Sequence, residues 1–136
     1  MRFAGYAALF DRVDRGGDIV RPGAFADAVA KGAGAVPLLW QHDPARPIGR
    51  IEHLSEDKRG LRVIGRLTGA GAAAREAAAL LADGTVTGLS FGYRVGRAEG
   101  VRPRMLSALD LVEISLVTLP MQPGARVHAI TTEEQA

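Results

Sequence analysis

The chain has 136 residues, 47% of them hydrophobic, enough for one domain with a buried core and too few for two ordinary ones. It contains no cysteine, so a disulfide scaffold, a thiolate zinc site and a cysteine nucleophile are excluded together. The net charge of +2 comes from scattered arginines, and aromatics make up 5%, too few for a base-stacking surface, so no nucleic-acid partner is expected.

Residues 3–10 (FAGYAALF) read as a first strand, and the Asp- and Gly-rich "DRVDRGGDIVRPGAF" reads as a loop. Pro22 lies near the first turn of a short helix through "GAFADAVAKG", closed by Gly32, with Phe25 and Val29 on its apolar stripe. "AVPLLWQH" reads as a strand ending in a turn at Asp43-Pro44. "PIGRIEHL" and "GLRVIGRL" alternate loosely and flank the charged "SEDKRG", which predicts a hairpin. "GAAAREAAALLADG" is the clearest helix, alanine-rich and stopped at Gly84. Three strand-like runs follow, "TVTGLSFGYRV", "RPRMLSAL" and "DLVEISLVTLP", and "ARVHAI" is a last short strand.

The pattern amounts to about seven or eight short strands joined mostly by hairpin-length turns, with two helices. The expected fold is α+β, mainly β: an antiparallel β-barrel of about seven strands with the helices packed outside. Residues 1–130 are expected to form a single domain, and 131–136 a flexible C-terminal tail. No apolar run reaches the roughly 18–20 residues of a spanning helix. The N-terminal "MRFAGYAALFD" lacks the length and cleavage site of a signal peptide, so a cytoplasmic protein without a membrane partner is expected.

Gly88-Leu89-Ser90-Phe91-Gly92 spells G-x-S-x-G, the nucleophile-elbow motif, and the order Ser90, Asp110, His128 mimics that of the α/β-hydrolases. An elbow needs a helix directly after the serine, whereas Phe91 to Val95 continue as strand. Alternation places Leu89, Phe91, Tyr93 and Val95 on one face and Gly88, Ser90, Gly92 and Arg94 on the other. Ser90 is then either a residue that merely fits between glycines or a nucleophile on a face cleared for a peptide.

A nucleophilic serine needs a base. Of the three histidines, His42 ends an apolar strand, where it can reach a neighbouring strand and stay partly wet. His53 lies in a polar hairpin, and His128 in a short strand near the C-terminus. Pattern alone favours His42. The three lie far apart and show no metal-ligand spacing, so no metal or cofactor is expected. In "LDLVEISLVTLP", Val112, Ile114 and Leu116 share an apolar face, and Glu113 and Ser115 share the other. Glu113 either points to water or accepts a hydrogen bond from a histidine and orients its ring. Asp110, at the strand's start, is the less central carboxylate.

The stretches "GYAALFD", "GDIVRPGAF", "LLWQHD…PIGRI", "GLRVIGRL", "LLADGTVTGLSFGYRV" and "DLVEISLVTLPMQPGARV" together resemble the prohead (capsid maturation) serine proteases of tailed phages. These are distant relatives of the herpesvirus assemblins. The resemblance covers nearly the whole chain and implies a herpesvirus-protease-like β-barrel surrounded by helices. It implies Ser90 as nucleophile and His42 as general base, with Glu113 on the acidic position and Asp110 in reserve. It further implies a serine endopeptidase acting inside the assembling procapsid of a phage, prophage or gene-transfer-agent particle, in the cytoplasm of a bacterial host. The partners it implies are the major capsid protein or scaffold as substrate and the chain itself by autoprocessing, and it allows a homo-oligomer. The rival reading is a catalytically inactive β-barrel assembly module that binds capsid protein.

Overall fold

The computed structural model describes residues 1–69 and 71–132. Eight strands form one sheet: β1 (Arg2–Leu9), β2 (Asp18–Val20), β3 (Pro37–Trp40), β4 (Asp43–Glu56), β5 (Gly60–Leu67), β6 (Gly88–Glu99), β7 (Arg104–Val117) and β8 (Val127–Thr131). The helices are α1 (Ala26–Lys31) and α2 (Ala72–Ala82), and a single 3-10 turn covers Ala33–Ala35. The α+β class holds, but the sheet is mixed and does not close into a barrel. The order is β2-β7-β3-β4-β5-β1-β8, with β6 also on β7. Where closure would come, the start of β6 meets the chain before β8 through one bridge, Gly88 to Arg126, while the Arg126 carbonyl accepts from the Tyr6 amide at 3.2 Å.

β7 is the spine. β6 pairs antiparallel along it from Gly88–Val117 to Glu99–Met105. The other edge takes two short strands in tandem, both parallel: β2 on residues 104–106 and β3 on residues 114–116. The segment holding α1 carries the chain from β2 to β3, and β3 reaches its parallel neighbour β7 only through β4, β5, α2 and β6. Glu56 of β4 fixes the entry to α1, its carboxylate accepting from the Gly23 and Phe25 amides, each at 2.8 Å.

The core is filled from both sheet and helices. Phe3, Phe25, Leu38, Ile48, Leu61, Leu89, Leu106, Ile114 and Leu116 are fully buried. In α2, Ala74, Ala77 and Leu81 form the buried stripe expected at helical spacing. The helix is tied to β3 by the Trp40 indole, which donates to Glu76 Oε1 at 3.0 Å.

Several local expectations change. "RPRMLSAL" and "DLVEISLVTLP" are one continuous strand, β7. β2 emerges from the predicted loop, too short for alternation to reveal it. The turn after β3 is at Gln41-His42, and Asp43 already pairs with Trp40 as the first residue of β4. Val112 leaves the apolar face and is 40% exposed. Gly92 opposes Glu113 but Tyr93 opposes Leu111, so Val112 is the extra residue of a bulge. Of the expected tail, Thr131 ends β8 opposite Arg2, and residues 133–136 lie outside the described ones. Among the described residues no helix is long and apolar enough to cross a membrane.

Gly60 opposes Leu9 where β5 and β1 approach closely, and a Cβ there would strike the Ala8 carbonyl. Gly60→Ala is expected to cost about 1–3 kcal/mol, as overpacking typically does. The measurement is a lower urea midpoint at unchanged slope.

Candidate functional site

The candidate residues meet on the face of β7 that carries its polar side chains. Directly opposed residues of an antiparallel pair share a face. Ser90 of β6 opposes Ser115, and Gly92 opposes Glu113, so the four positions lie together. On the other edge of β7, Leu39 pairs with Ser115 and Trp40 with Leu116, which delivers the next two residues to the same place.

Those residues, Gln41 and His42, have φ of 54° and 61°. Two successive positive φ values are the mark of a type I′ hairpin loop, which usually takes Asn-Gly. Non-glycine residues there cost on the order of 1–3 kcal/mol each. The cost is offset by bonds to β7 and its continuation. The Gln41 amide donates to the Leu116 carbonyl at 2.9 Å. Its side chain donates to Thr118 Oγ1 at 2.7 Å and accepts from the Thr118 amide at 3.1 Å. The His42 amide donates to Ser115 Oγ at 3.1 Å.

The His42 ring meets Glu113, Nδ1 to Oε2, at 2.5 Å, and Ser115 Oγ donates to Oε1 at 2.7 Å. The Glu113 side chain is 10% exposed and that of His42 43%. An ionised carboxylate only accepts, so the ring's proton belongs on Nδ1, which leaves Nε2 of the neutral ring as a base. The hydrogen bond that the ring donates to Glu113 raises the His42 pKa above its ordinary value; desolvation opposes it and the carboxylate's charge adds to it. Among the described residues no other charged group contributes to that shift.

Ser90 is 3% exposed as a residue; its backbone belongs to the β6–β7 ladder, and its hydroxyl makes no protein hydrogen bond among the described residues. Among the described residues, the fully buried side-chain atom left without a partner is Arg62 Nη1. The neighbouring glycines serve a different purpose from the expected clearing of space for a peptide. A Cβ on Gly92 would collide with Glu113 Oε2 and lie 3.1 Å from its Cδ. A Cβ on Gly88 would meet the Val117 carbonyl and Pro120. The bare strand at Gly92 makes room for the carboxylate that holds His42. Gly92→Ala is therefore expected to displace Glu113 and bring the His42 titration back toward an ordinary imidazole value, read by NMR. An unshifted titration would show that the carboxylate does not need that space.

The other candidates lie elsewhere. Asp110 is exposed, 3.5 Å from Arg94 across the β6–β7 ladder. His53 is exposed on β4, its Nε2 2.9 Å from Ser55 Oγ. His128 is exposed on β8 beside Tyr6, with ring centroids 6.0 Å apart. Among the described residues no group of His, Asp and Glu could hold a metal ion. Sequence reasoning placed Ser115 on the face of Glu113 but gave it no part, and it missed Gln41. The signal for Ser115 was its place two residues after Glu113 on one strand.

Comparison with known proteins gives a consistent result. The prohead protease of Enterobacteria phage HK97 is 35% identical over 133 residues, covering 94% of this chain and 59% of that protein. The chain thus spans about three fifths of the length of that relative. The fold resembles the bacteriophage T4 capsid assembly protease gp21, with a TM-score of 0.70 and 16% identity over 88% of this chain and 82% of that one. It also resembles the KSHV protease solved with a hexapeptide phosphonate inhibitor, with a TM-score of 0.61 and 16% identity over 93% and 63% of the two chains. At that identity the likeness concerns the fold, which is herpesvirus-protease-like. The sequence profile of the caudovirus prohead serine proteases matches residues 1–136, and the chain belongs to that family.

Proposed function

We propose that this chain is a serine endopeptidase in which Ser90 is the nucleophile, His42 the general base and Glu113 the group that orients the ring. The observation that carries the reading is the His42–Glu113 pair, 2.5 Å between Nδ1 and Oε2, held beside the strand that bears Ser90 in a member of this family. His42 Nε2 takes the hydroxyl proton as Ser90 Oγ bonds to the scissile carbonyl carbon. The imidazolium is stabilised by Glu113 and returns the proton to the leaving amine as the C–N bond breaks. Water then repeats the sequence on the acyl-enzyme. Backbone amides aimed at the oxyanion would add about 3–4 kcal/mol per donor.

The substrates in this reading are the major capsid protein or its scaffold, and the chain itself, cleaved within the assembling procapsid in a bacterial host. Co-expression with the major capsid protein of the same phage or prophage tests it. Wild type is expected to shorten the capsid protein, and Ser90→Ala to leave it at full length. Stable binding with no cleavage by wild type would instead establish the assembly-module reading.

A further inference from the structure

We propose that Ser115 is a positioning residue of this site, its hydroxyl fixing both the backbone of His42 and the rotamer of Glu113. The inference rests on the reading of His42 and Glu113 given above and extends it to a third side chain.

The geometry gives the hydroxyl no freedom. Ser115 is 0% exposed, so neither of its bonds has a water substitute. A hydroxyl has one proton to donate, and the carboxylate oxygen Oε1 at 2.7 Å must receive it. The oxygen's lone pairs then face the His42 amide at 3.1 Å, which can only donate. With the 2.5 Å contact of Nδ1 and Oε2, these bonds close a ring: His42 amide, Ser115, Glu113, His42 imidazole. Closing the ring does two things. It holds His42 at a φ of 61°, which a histidine would otherwise leave. It also pins one carboxylate oxygen so that the other points at Nδ1. Ser115 pairs with Leu39 on one side and Ser90 on the other, so the pin stands between the strand that delivers His42 and the strand that carries the nucleophile.

Ser115→Ala removes both bonds and leaves a largely buried carboxylate oxygen without its donor. The expected result is a kcat lower by on the order of 10- to 100-fold with KM little changed, the scale of a slightly misplaced catalytic group. A residue that is only structural would not move the following readouts. The His42 Nδ1 proton is expected to exchange faster, the His42 amide to lose protection, and the acidic limb of the rate profile to move toward the ordinary imidazole value. Ser115→Thr, which keeps the hydroxyl, is expected to restore all of these. If Ser115→Ala does not fold, Ser115→Cys, close in volume but a weak donor, carries the same test.

The NMR readouts need no turnover, so the proposal fails separately from the triad reading. Unchanged His42 titration and amide exchange in Ser115→Ala would overturn the positioning role. Full cleavage by Ser90→Ala would overturn the triad while leaving the NMR result to decide on Ser115.

Discussion

Ser90→Ala is expected to abolish cleavage and leave the fold untouched. Removing one member of a Ser-His-acid set costs roughly 10⁴–10⁶ in kcat, because the three act as a unit. Stability should change little. The Ser90 hydroxyl makes no protein hydrogen bond among the described residues, so its loss orphans no partner, and a surface-like ΔΔG within about 0.5 kcal/mol follows. His42→Ala should match it in rate but not in stability, since it leaves Oε2 of Glu113, a side chain 10% exposed, without its partner and only Oε1 held by Ser115. His53→Ala and His128→Ala, both at exposed positions, should behave as wild type. The checks are single-turnover cleavage, urea unfolding and labelling by a fluorophosphonate, which reacts with activated serines. Labelling of Ser90→Ala at the wild-type rate would sink the assignment of the nucleophile.

The contrast between Ser90 and His42 also shows what the sequence could reveal. Ser90 was legible as a strand residue because Phe91 and Tyr93 rule out the helix that a hydrolase elbow demands. Glu113 was legible as a carboxylate in the middle of a β-rich run, where charge needs a reason. Their relation to His42 was not legible. It depends on β3 lying parallel to β7, a pairing between residues more than 70 apart that no local pattern encodes. The Gln41-His42 loop carries no Gly or Asn, so turn chemistry pointed to Asp43-Pro44 instead. Tertiary bonds to Thr118 and Ser115 override that preference. The Val112 bulge is hidden for a similar reason: period-two counting runs straight through an extra residue. Gly92 looked like room for a substrate because its true neighbour, the Glu113 carboxylate, is visible only once the register is known.

Glu113→Gln separates geometry from charge at this site. The amide is nearly isosteric, yet it can present an N–H to Nδ1 and favour the wrong tautomer; in a triad such a change lowers kcat by about 10⁴. The pH response has a definite sign. The base must be neutral to accept a proton, and Glu113 raises the pKa of His42. The acidic limb of kcat/KM in wild type therefore lies above the ordinary imidazole value, and in Glu113→Gln it should move to lower pH. Stability follows by linkage. A raised folded-state pKa stabilises fully below the unfolded imidazole value, and the contribution is lost as pH rises through the folded one. Urea midpoints of wild type and Glu113→Gln should thus differ most below the unfolded imidazole value, about 6.5, and converge as pH rises through the raised folded one. Asp110→Asn, at an exposed site 3.5 Å from Arg94, should shift neither limb nor midpoint. A limb that stays in place in Glu113→Gln and moves in Asp110→Asn would transfer the orienting role to Asp110. The closed ring through Ser115 makes that transfer hard to accommodate, since both oxygens of Glu113 are already committed to holding His42.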